Sequence, residues 1–463
     1  MYYRLSESYL LRGWQHMTNV LVRRPYNIIQ QLSGKDFNLL LLCDGCTDFE
    51  SLIRDEEKTI LASYVEKGVV TPCEEKTPLS PDQKYILYKN RYVRTAFWSI
   101  TGRCNYRCRH CYMDAPDAQL GEVSHEEAMN FIDQIHACGI FNVDITGGEP
   151  FVRKDFWQLV DHMLDYKIRI NQVYTNGWLL TEKVLDEFEA RGQKPEFSIS
   201  FDGVGWHDWL RRVDGAEDAA IRALKMCKRR GFPVNVEMCV HKGNVGTIRE
   251  TINLLAECGV HAIKLGPVHN SELWCANCDG NAISLEEFIE AAIDYIPHYF
   301  EDGCPMSALF GGVVSLTKKG YAVTSERYCG DASCEDNFLC GAVRSSCYIT
   351  PEGRVLPCLP MTSWDGQYDY PRIQDEGLQK LLTSGFYMDV ATARVRDLLK
   401  KNEKCAACEY KYLCGGGCRA SAAMSCGDVM GSDPDQCLFF RGGYPARIRE
   451  IAEKAMKDFP VEK

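Results

Sequence analysis

The spacing of apolar residues divides the chain into stretches of different texture. Between Arg94 and Val268, short β-rich runs alternate with segments of helical period at spacings of about thirty residues. The runs 94–100, 141–146, 170–176, 196–202, 233–240 and 262–268 predict strands, and their alternation with helices predicts a parallel sheet built from βα units. The expected fold class is α/β, with six units forming an open, partial (β/α)6 barrel. The helices between are well signalled: Ser124 and Glu127 make a capping box, Phe131, Ile132 and Ile135 line one face, and Gly139 ends the segment. Phe156, Leu159, Val160, Met163 and Leu164 repeat that pattern after Asp155. Ligands of parallel α/β folds collect at the carboxyl ends of strands, so the residues just after each run are the ones to inspect.

Residues 1–80 have another texture. Phe37 to Gly45 predicts a buried helix broken at glycine, and Thr47, Asp48, Phe49 and Glu50 open a second helix running through Leu52 and Ile53. A third covers Glu57 to Lys67, with Ile60, Leu61, Tyr64 and Val65 at helical spacing and a stop at Gly68; Val69 to Thr71 reads as a strand after it. Pro72 to Pro81 is rich in breakers, and the pattern changes beyond it. The expected division is a small module over 1–80, a linker over 81–92, the barrel over 93–270, a bridging region over 271–330 where alternation is lost, a cysteine-rich region over 331–440, and a C-terminal helix over 441–463.

Composition narrows the class. A chain of 463 residues with 45% hydrophobic and 25% charged residues reads as an ordinary soluble protein of two or three domains. No apolar run reaches membrane-spanning length, and the N-terminus lacks a basic head followed by an apolar core, so the reading is cytoplasmic with no membrane partner. A net charge of −11 argues against a nucleic-acid partner. Twenty-four cysteines are too many for casual core packing, and disulfides on that scale belong to secreted chains. Metal ligation in a reducing compartment is the better account.

Cys104, Cys108 and Cys111, separated by three and two residues, can cap three corners of one iron–sulfur cube and leave its fourth iron open for chemistry. A zinc knuckle or three buried thiols is the bland alternative. With Tyr112 behind it, the passage resembles the CxxxCx(aromatic or His)C signature of radical S-adenosylmethionine (SAM) enzymes. Thr146-Gly147-Gly148-Glu149-Pro150, at the end of the second predicted strand, resembles their GGEP motif. The resemblance implies a [4Fe–4S] cluster on the three cysteines and SAM held by Tyr112, Gly147, Gly148, Glu149, Asn176 and Ser200. The glycines let backbone approach a ligand, and the Glu149 carboxylate suits the ammonium of methionine. Asn176 closes the third strand, although Asn-Gly is also a plain turn, and Ser200 is the family-matched contact to the SAM carboxylate or ribose. Asp202 shapes its loop or approaches substrate, Glu237 and Lys264 are candidate walls of the adenine site, and His241 and His269 read as ordinary loop histidines.

The C-terminal third carries a second pattern. Cys340, Cys358, Cys405, Cys408, Cys414, Cys418 and Cys437 match in spacing the SPASM extension of radical SAM peptide-modifying enzymes. That resemblance implies two auxiliary [4Fe–4S] clusters, three in all. The first would use Cys340, Cys358 and Cys418 with Cys334 as the preferred fourth ligand; Cys329, Cys347 or a substrate thiol are the alternatives. The second would use Cys405, Cys408, Cys414 and Cys437. A zinc ribbon would leave the other matched cysteines unexplained. Cys275 and Cys278 form a CxxC without a visible partner pair, and Cys43 and Cys46 read as core packing.

The order of elements in 1–80, with its Leu-Cys-Asp-Gly phrase, resembles the winged-helix module of the small peptide-chaperone protein of pyrroloquinoline quinone biosynthesis. It implies capture of a precursor-peptide leader by strand addition. DNA binding is the rival use, and nine Lys/Arg against eleven Asp/Glu over 1–80 count against it. Together these resemblances imply a radical SAM oxidoreductase that makes a 5′-deoxyadenosyl radical and oxidatively crosslinks a ribosomally made peptide through a thioether or carbon–carbon bond. They imply a low-potential electron donor such as ferredoxin or flavodoxin. Haem-pathway members of the family are the runner-up. Sulfatase maturation is disfavoured, because that family places an aspartate base after the cysteine matched by Cys358, where Leu359 stands here. An iron–sulfur DNA-binding regulator would leave GGEP without a purpose. The sequence singles out no catalytic proton acceptor.

Overall fold

The computed structural model describes residues 1–15, 19–51, 53–90, 93–113, 120–269, 271–364, 366 and 369–460. Leu52 of the second expected helix, residues 91–92 of the expected linker and residues 461–463 of the expected C-terminal helix lie outside the described residues. No helix among the described residues is long and apolar enough to cross a membrane.

The chain opens with β1 (Tyr2–Leu5), β2 (Tyr9–Trp14), β3 (Val20–Arg23) and β4 (Ile28–Gln31), followed by α1 (Gly34–Leu42), α2 (Asp55–Glu66), β5 (Val70–Cys73) and β6 (Ile86–Tyr88). β1 pairs with β5, and a second sheet has the order β4-β3-β2-β6. Residues 86–88, expected as linker, are thus a strand hydrogen-bonded to Arg12–Trp14. α1 and α2 correspond to two of the three expected helices. Among the described residues 47–54 there is no helix, because Asp44 offers the backbone another partner: its Oδ1 accepts from the amides of Cys46 and Thr47 at 2.7 Å, and its Oδ2 from Thr47 Oγ1 at 2.9 Å. Such an Asx turn competes with helix formation. The helix starts later, where the Glu57 carboxylate accepts from the Arg54 amide at 2.7 Å.

The six strands expected for the barrel are present within two residues as β7 (Thr95–Ser99), β8 (Asn142–Thr146), β9 (Arg169–Thr175), β10 (Glu196–Ser200), β11 (Val234–Val240) and β12 (Ala262–Pro267). Between them lie α3 (His125–Ala137), α4 (Phe156–Asp165), α5 (Glu182–Ala190), α6 (His207–Arg211), α7 (Ala216–Arg230) and α8 (Ile248–Glu257). The predicted capping box of α3 is formed, with Ser124 Oγ accepting from the Glu127 amide at 3.2 Å. The strands alternate as their sequences demand. In β11, Val234, Val236, Met238 and Val240 are buried, while Asn235, Glu237 and Cys239 on the other face are only partly covered.

The sheet continues past the six units. After α9 (Glu272–Asn277) and α10 (Leu285–Glu301) come β13 (Ser307–Phe310), β14 (Val314–Thr317) and β15 (Gly320–Val323), and β16 (Ser346–Ile349) and β17 (Val355–Leu356) attach at the other edge. The order is β15-β14-β13-β12-β11-β10-β9-β8-β7-β16-β17. Among the described residues the parallel run is therefore eight strands, β16 through β13, rather than six. The added βα unit pairs a regular amphipathic helix, with Phe288, Ile289, Ala292, Ile293, Ile296 and Tyr299 buried and Glu287, Asp294, His298 and Glu301 exposed, with a strand of only four residues, too short to stand out by its pattern. The C-terminal helix covers Tyr444–Asp458 and packs on α10.

The N-terminal module is seated on the starting ends of the barrel strands. The Phe141 ring, one residue before β8, packs against Trp14 and Tyr88 at centroid distances of 5.6 and 6.3 Å. Asn27 Nδ2 donates to the carbonyls of Phe141 and Lys167 at 3.1 and 3.4 Å. The cluster loop leaves the opposite end, after Ser99.

Candidate active site

At the finishing ends of the strands, Cys104, Cys108 and Cys111 line one cavity of about 400 Å³. Tyr112, Gly147, Gly148, Asn176 and Ser200 line the same cavity, so it gathers every expected SAM contact except Glu149. None of the three cysteines is in a disulfide. Three thiols from one short loop around a shared space suit a three-cysteine iron–sulfur cluster.

The glycines of the second strand end serve the loop more than the ligand. Gly148 N donates to Thr101 O and Glu149 N to Arg103 O, both at 2.8 Å. A Cβ on Gly148 would lie 2.1 Å from Arg103 O, and one on Gly147 2.6 Å from Thr101 O. Only glycine lets β8 lie this close to the cysteine loop. Arg153, nearly fully buried, braces the same junction by donating to Ile100 O at 2.5 Å and Val123 O at 3.2 Å while its Nε holds Asp155. Nothing in the sequence marked Arg153 beyond its closeness to GGEP.

Glu149 was expected to face the ligand's ammonium. Its carboxylate is instead fully buried and turned to β9, accepting from Thr175 Oγ1 at 2.9 and 3.0 Å and from the Asn176 amide at 2.9 Å. Burial pushes its pKa up to about 7, and these hydrogen bonds oppose the rise. Asn176, fixed in this way, reaches across to Asn105 Oδ1 at 2.8 Å inside the cluster loop.

Arg211, on α6, is a site residue that the sequence did not reveal, since Trp-Leu-Arg-Arg has no motif character. It lines the cavity near Ser200 and places its Nη1 3.7 Å from Cys108 Sγ. Asp202 shapes its loop: it accepts from Arg211 Nε at 2.6 Å and Nη2 at 3.2 Å and from the Cys239 amide at 3.0 Å, with His207 against it. Although desolvation works the other way, the guanidinium and its neighbours hold this carboxyl far below the usual range. The donor atoms of His110, Asp202 and Cys239 lie within 4.8 Å of one another, but the Arg211 cation already satisfies the carboxylate. His241 is buried among Trp206, Trp209 and Trp274.

Farther along, Cys405, Cys408, Cys414 and Cys437 line a second cavity, with Lys404 and Arg441 beside them. These are the four residues expected to hold the second auxiliary cluster, and the donor set suits one. Cys358 lies in electrostatic range of Cys418 and Cys340, and burial pushes its thiol up to about 12. Cys334 is buried nearby, with Tyr328 in electrostatic range of both Cys340 and Cys334, and its Sγ points to Tyr412 O at 3.7 Å. Of its alternatives, Cys329 is exposed and bonded to Ser333, and Cys347 is buried in β16 with Cys138 as its neighbour. Leu359 and Pro360, immediately after Cys358, reach the barrel cavity and wall it. Cys275 on α9 is exposed and Cys278 half-buried; Cys43 is buried in the N-terminal core.

Residues 98–255 match the Radical SAM superfamily, and residues 340–409 match the SPASM iron–sulfur cluster-binding domain. The chain carries a radical SAM domain followed by a SPASM domain, an enzyme architecture that implies SAM and [4Fe–4S] clusters. It is 26% identical over 366 residues to an AdoMet-dependent heme synthase of Methanosarcina barkeri, spanning 75% of this chain and 97% of that protein. It is 26% identical over 346 residues to the mycofactocin maturase MftC of Mycobacterium tuberculosis, spanning 73% and 81%. The crystal structure of Streptococcus suis SuiB bound to precursor peptide SuiA has the same fold, with a TM-score of 0.66 at 14% identity over 94% of this chain and 99% of that one.

Proposed function

We propose that the protein is a maturase that oxidatively crosslinks a ribosomally made precursor peptide, forming a thioether or carbon–carbon bond. The observation that carries this reading is β4. It is an edge strand, paired only with β3 among the described residues; its first residue, Ile28, is 47% exposed and Tyr26 just before it 61%. Such an edge accepts an extended peptide as a further strand. Asn27, Ile28 and Ile29 share a cavity with Arg94, Thr95, Asn142 and Asn171 at the starts of the barrel strands, so a peptide held there lies against the barrel at the end opposite the cysteine loop.

With a reduced [4Fe–4S] cluster and SAM bound at Cys104, Cys108 and Cys111, the chemistry supplied is reductive cleavage of the sulfonium to methionine and a 5′-deoxyadenosyl radical. The chain's own residues position the ligand. Ser200 and Arg211 offer a hydroxyl and a cation to its carboxylate. Gly147, Gly148 and Tyr112 wall it, and Glu149 acts from behind by fixing Thr175 and Asn176. Cys334, Cys340, Cys358 and Cys418, and the set of Cys405, Cys408, Cys414 and Cys437, would hold two auxiliary clusters, giving three in all, with a ferredoxin or flavodoxin as electron donor. Leu359 and Pro360 help keep water from the reacting atoms.

The likeness to heme synthase supports a second reading, action on an iron tetrapyrrole. Anaerobically reconstituted protein with SAM, dithionite and a candidate precursor peptide, sought as a short open reading frame near the gene, is expected to form 5′-deoxyadenosine and a peptide lighter by two mass units. Loss of two mass units without SAM consumption would sink the radical route. Consumption of an iron tetrapyrrole in place of the peptide would establish the second reading.

A further inference from the structure

Oxidative crosslinking has to dispose of a proton as well as a hydrogen atom, and one group in the cavity is suited to take it. Glu237 on β11 stands directly opposite Lys264 on β12, whose Nζ donates to Glu237 Oε1 at 3.1 Å. Both side chains line the cavity that holds Cys104, Cys108 and Cys111, and both keep solvent contact, at 43% and 60% exposure. Among the described residues, the other acids and bases in and around the cavity are committed elsewhere or, like Tyr112, sit beside the cluster cysteines. Glu149 is fully buried and bonded to Thr175 and Asn176. Asp202 is filled by Arg211, His207 and a backbone amide. His110 lies within the cysteine loop, between Cys108 and Cys111. Burial raises Tyr174 beyond useful range and pushes the Cys239 thiol up to about 12, and Tyr106 is buried within the cysteine loop. The wall from the SPASM side, Leu359 and Pro360, has neither acid nor base. Asp144 sits on β8, bonded to Asn171 Nδ2 at 2.8 Å, outside the cavity lining.

We infer that Glu237, oriented by Lys264, accepts the proton released as the crosslink forms; this rests on the peptide-crosslinking reading. One X–H and one C–H bond of the peptide break and one X–C bond forms, X being sulfur or carbon. The C–H hydrogen leaves as an atom to the 5′-deoxyadenosyl radical. The X–H proton goes to the Glu237 carboxylate, and the remaining electron goes to an oxidised iron–sulfur cluster. A carboxylate within the cavity but open to solvent can pass its proton on and be ready for the next cycle.

The test compares the crosslinked product formed per 5′-deoxyadenosine in full-length reconstituted wild type, Glu237→Gln, Glu237→Asp and Asp144→Asn, with a synthetic candidate precursor peptide found as a short open reading frame near the gene. Glu237→Gln is expected to lower that ratio roughly 10- to 100-fold, Glu237→Asp to recover part of it, and Asp144→Asn to match wild type. A wild type that crosslinks alongside a Glu237→Gln variant of equal ratio overturns this assignment alone. So does a loss of coupling in Asp144→Asn without one in Glu237→Gln. A wild type that makes no crosslink overturns the peptide reading and this inference together.

Discussion

Arg211 Nη1 approaches Cys108 Sγ to 3.7 Å while the same guanidinium grips Asp202 through Nε and Nη2. A cation beside a cluster-ligating thiolate favours the more negative, reduced cluster and raises its potential. Arg211→Gln is expected to lower the midpoint of the radical-initiating cluster by on the order of tens of millivolts. An EPR-monitored titration reads it, and an unchanged midpoint would remove Arg211 from the electrostatics of the cluster.

Gly148 has no room for a side chain, because a Cβ would lie 2.1 Å from Arg103 O and 3.1 Å from Cys104 Cβ. Gly148→Ala is therefore expected to push the cysteine loop off β8. Iron content after reconstitution should drop by about four per chain, with far-ultraviolet circular dichroism unchanged. Retention of full iron would show that the loop can shift without losing the cluster.

Asp144 supplies a pH dependence of known sign. Burial raises its pKa to about 6, Glu196 adding to the rise and Asn171 and Arg169 opposing it. The unfolded carboxyl titrates near about 3.9, so the folded chain binds more protons between about pH 4 and 6. The stability Asp144 contributes is present below that window and is lost as pH rises through it. Asp144→Asn should match wild type near pH 4 and exceed it above pH 6.5 by about 2 kcal/mol, less than the full shift because the carboxyl is not wholly desolvated. Urea unfolding at both pH values measures this, and a gap that does not vary with pH would contradict it.

Cys334 and Cys329 are separated by accessibility as well as by position, one buried and the other exposed. Cys334→Ala is expected to lower iron content and alter the EPR signal of one auxiliary cluster, whereas Cys329→Ala should keep the wild-type values. The opposite ranking would reassign the fourth ligand.

Much of the barrel was legible because its strands carry their burial pattern in sequence. β11 alternates Val234, Val236, Met238 and Val240 with less covered residues, and α3 announces itself through Ser124 and Glu127. That Cys104, Cys108 and Cys111 share one cavity, and Cys405, Cys408, Cys414 and Cys437 another, was equally plain, since close spacing is a local property. What was lost depended on contacts remote in sequence. β1 to β4 are short, and four-residue β1 finds its partner β5 only after the intervening helices. Asp44 converted an expected helix into a turn through its side chain. Arg211 became a site residue because α6 carries it back over the cysteine loop, and Glu149 turned inward because Thr175 and Asn176 stood ready to bind it.

On the peptide-crosslinking reading, the docking of the N-terminal module against the starts of β8 and β9 would act as a ruler. The cysteine loop lies at the far end of strands such as β8, five residues long, or about 16 Å at the usual rise per residue. A peptide anchored along β4 must cross that height in extended form before any of its residues meets the radical. Some five or more unmodified residues should therefore separate the anchored segment from the first modified position. Deleting residues from that spacer should shift modification to the next suitable residue downstream, read by tandem mass spectrometry. Modification that stayed on the original residue would mean the peptide enters by another route.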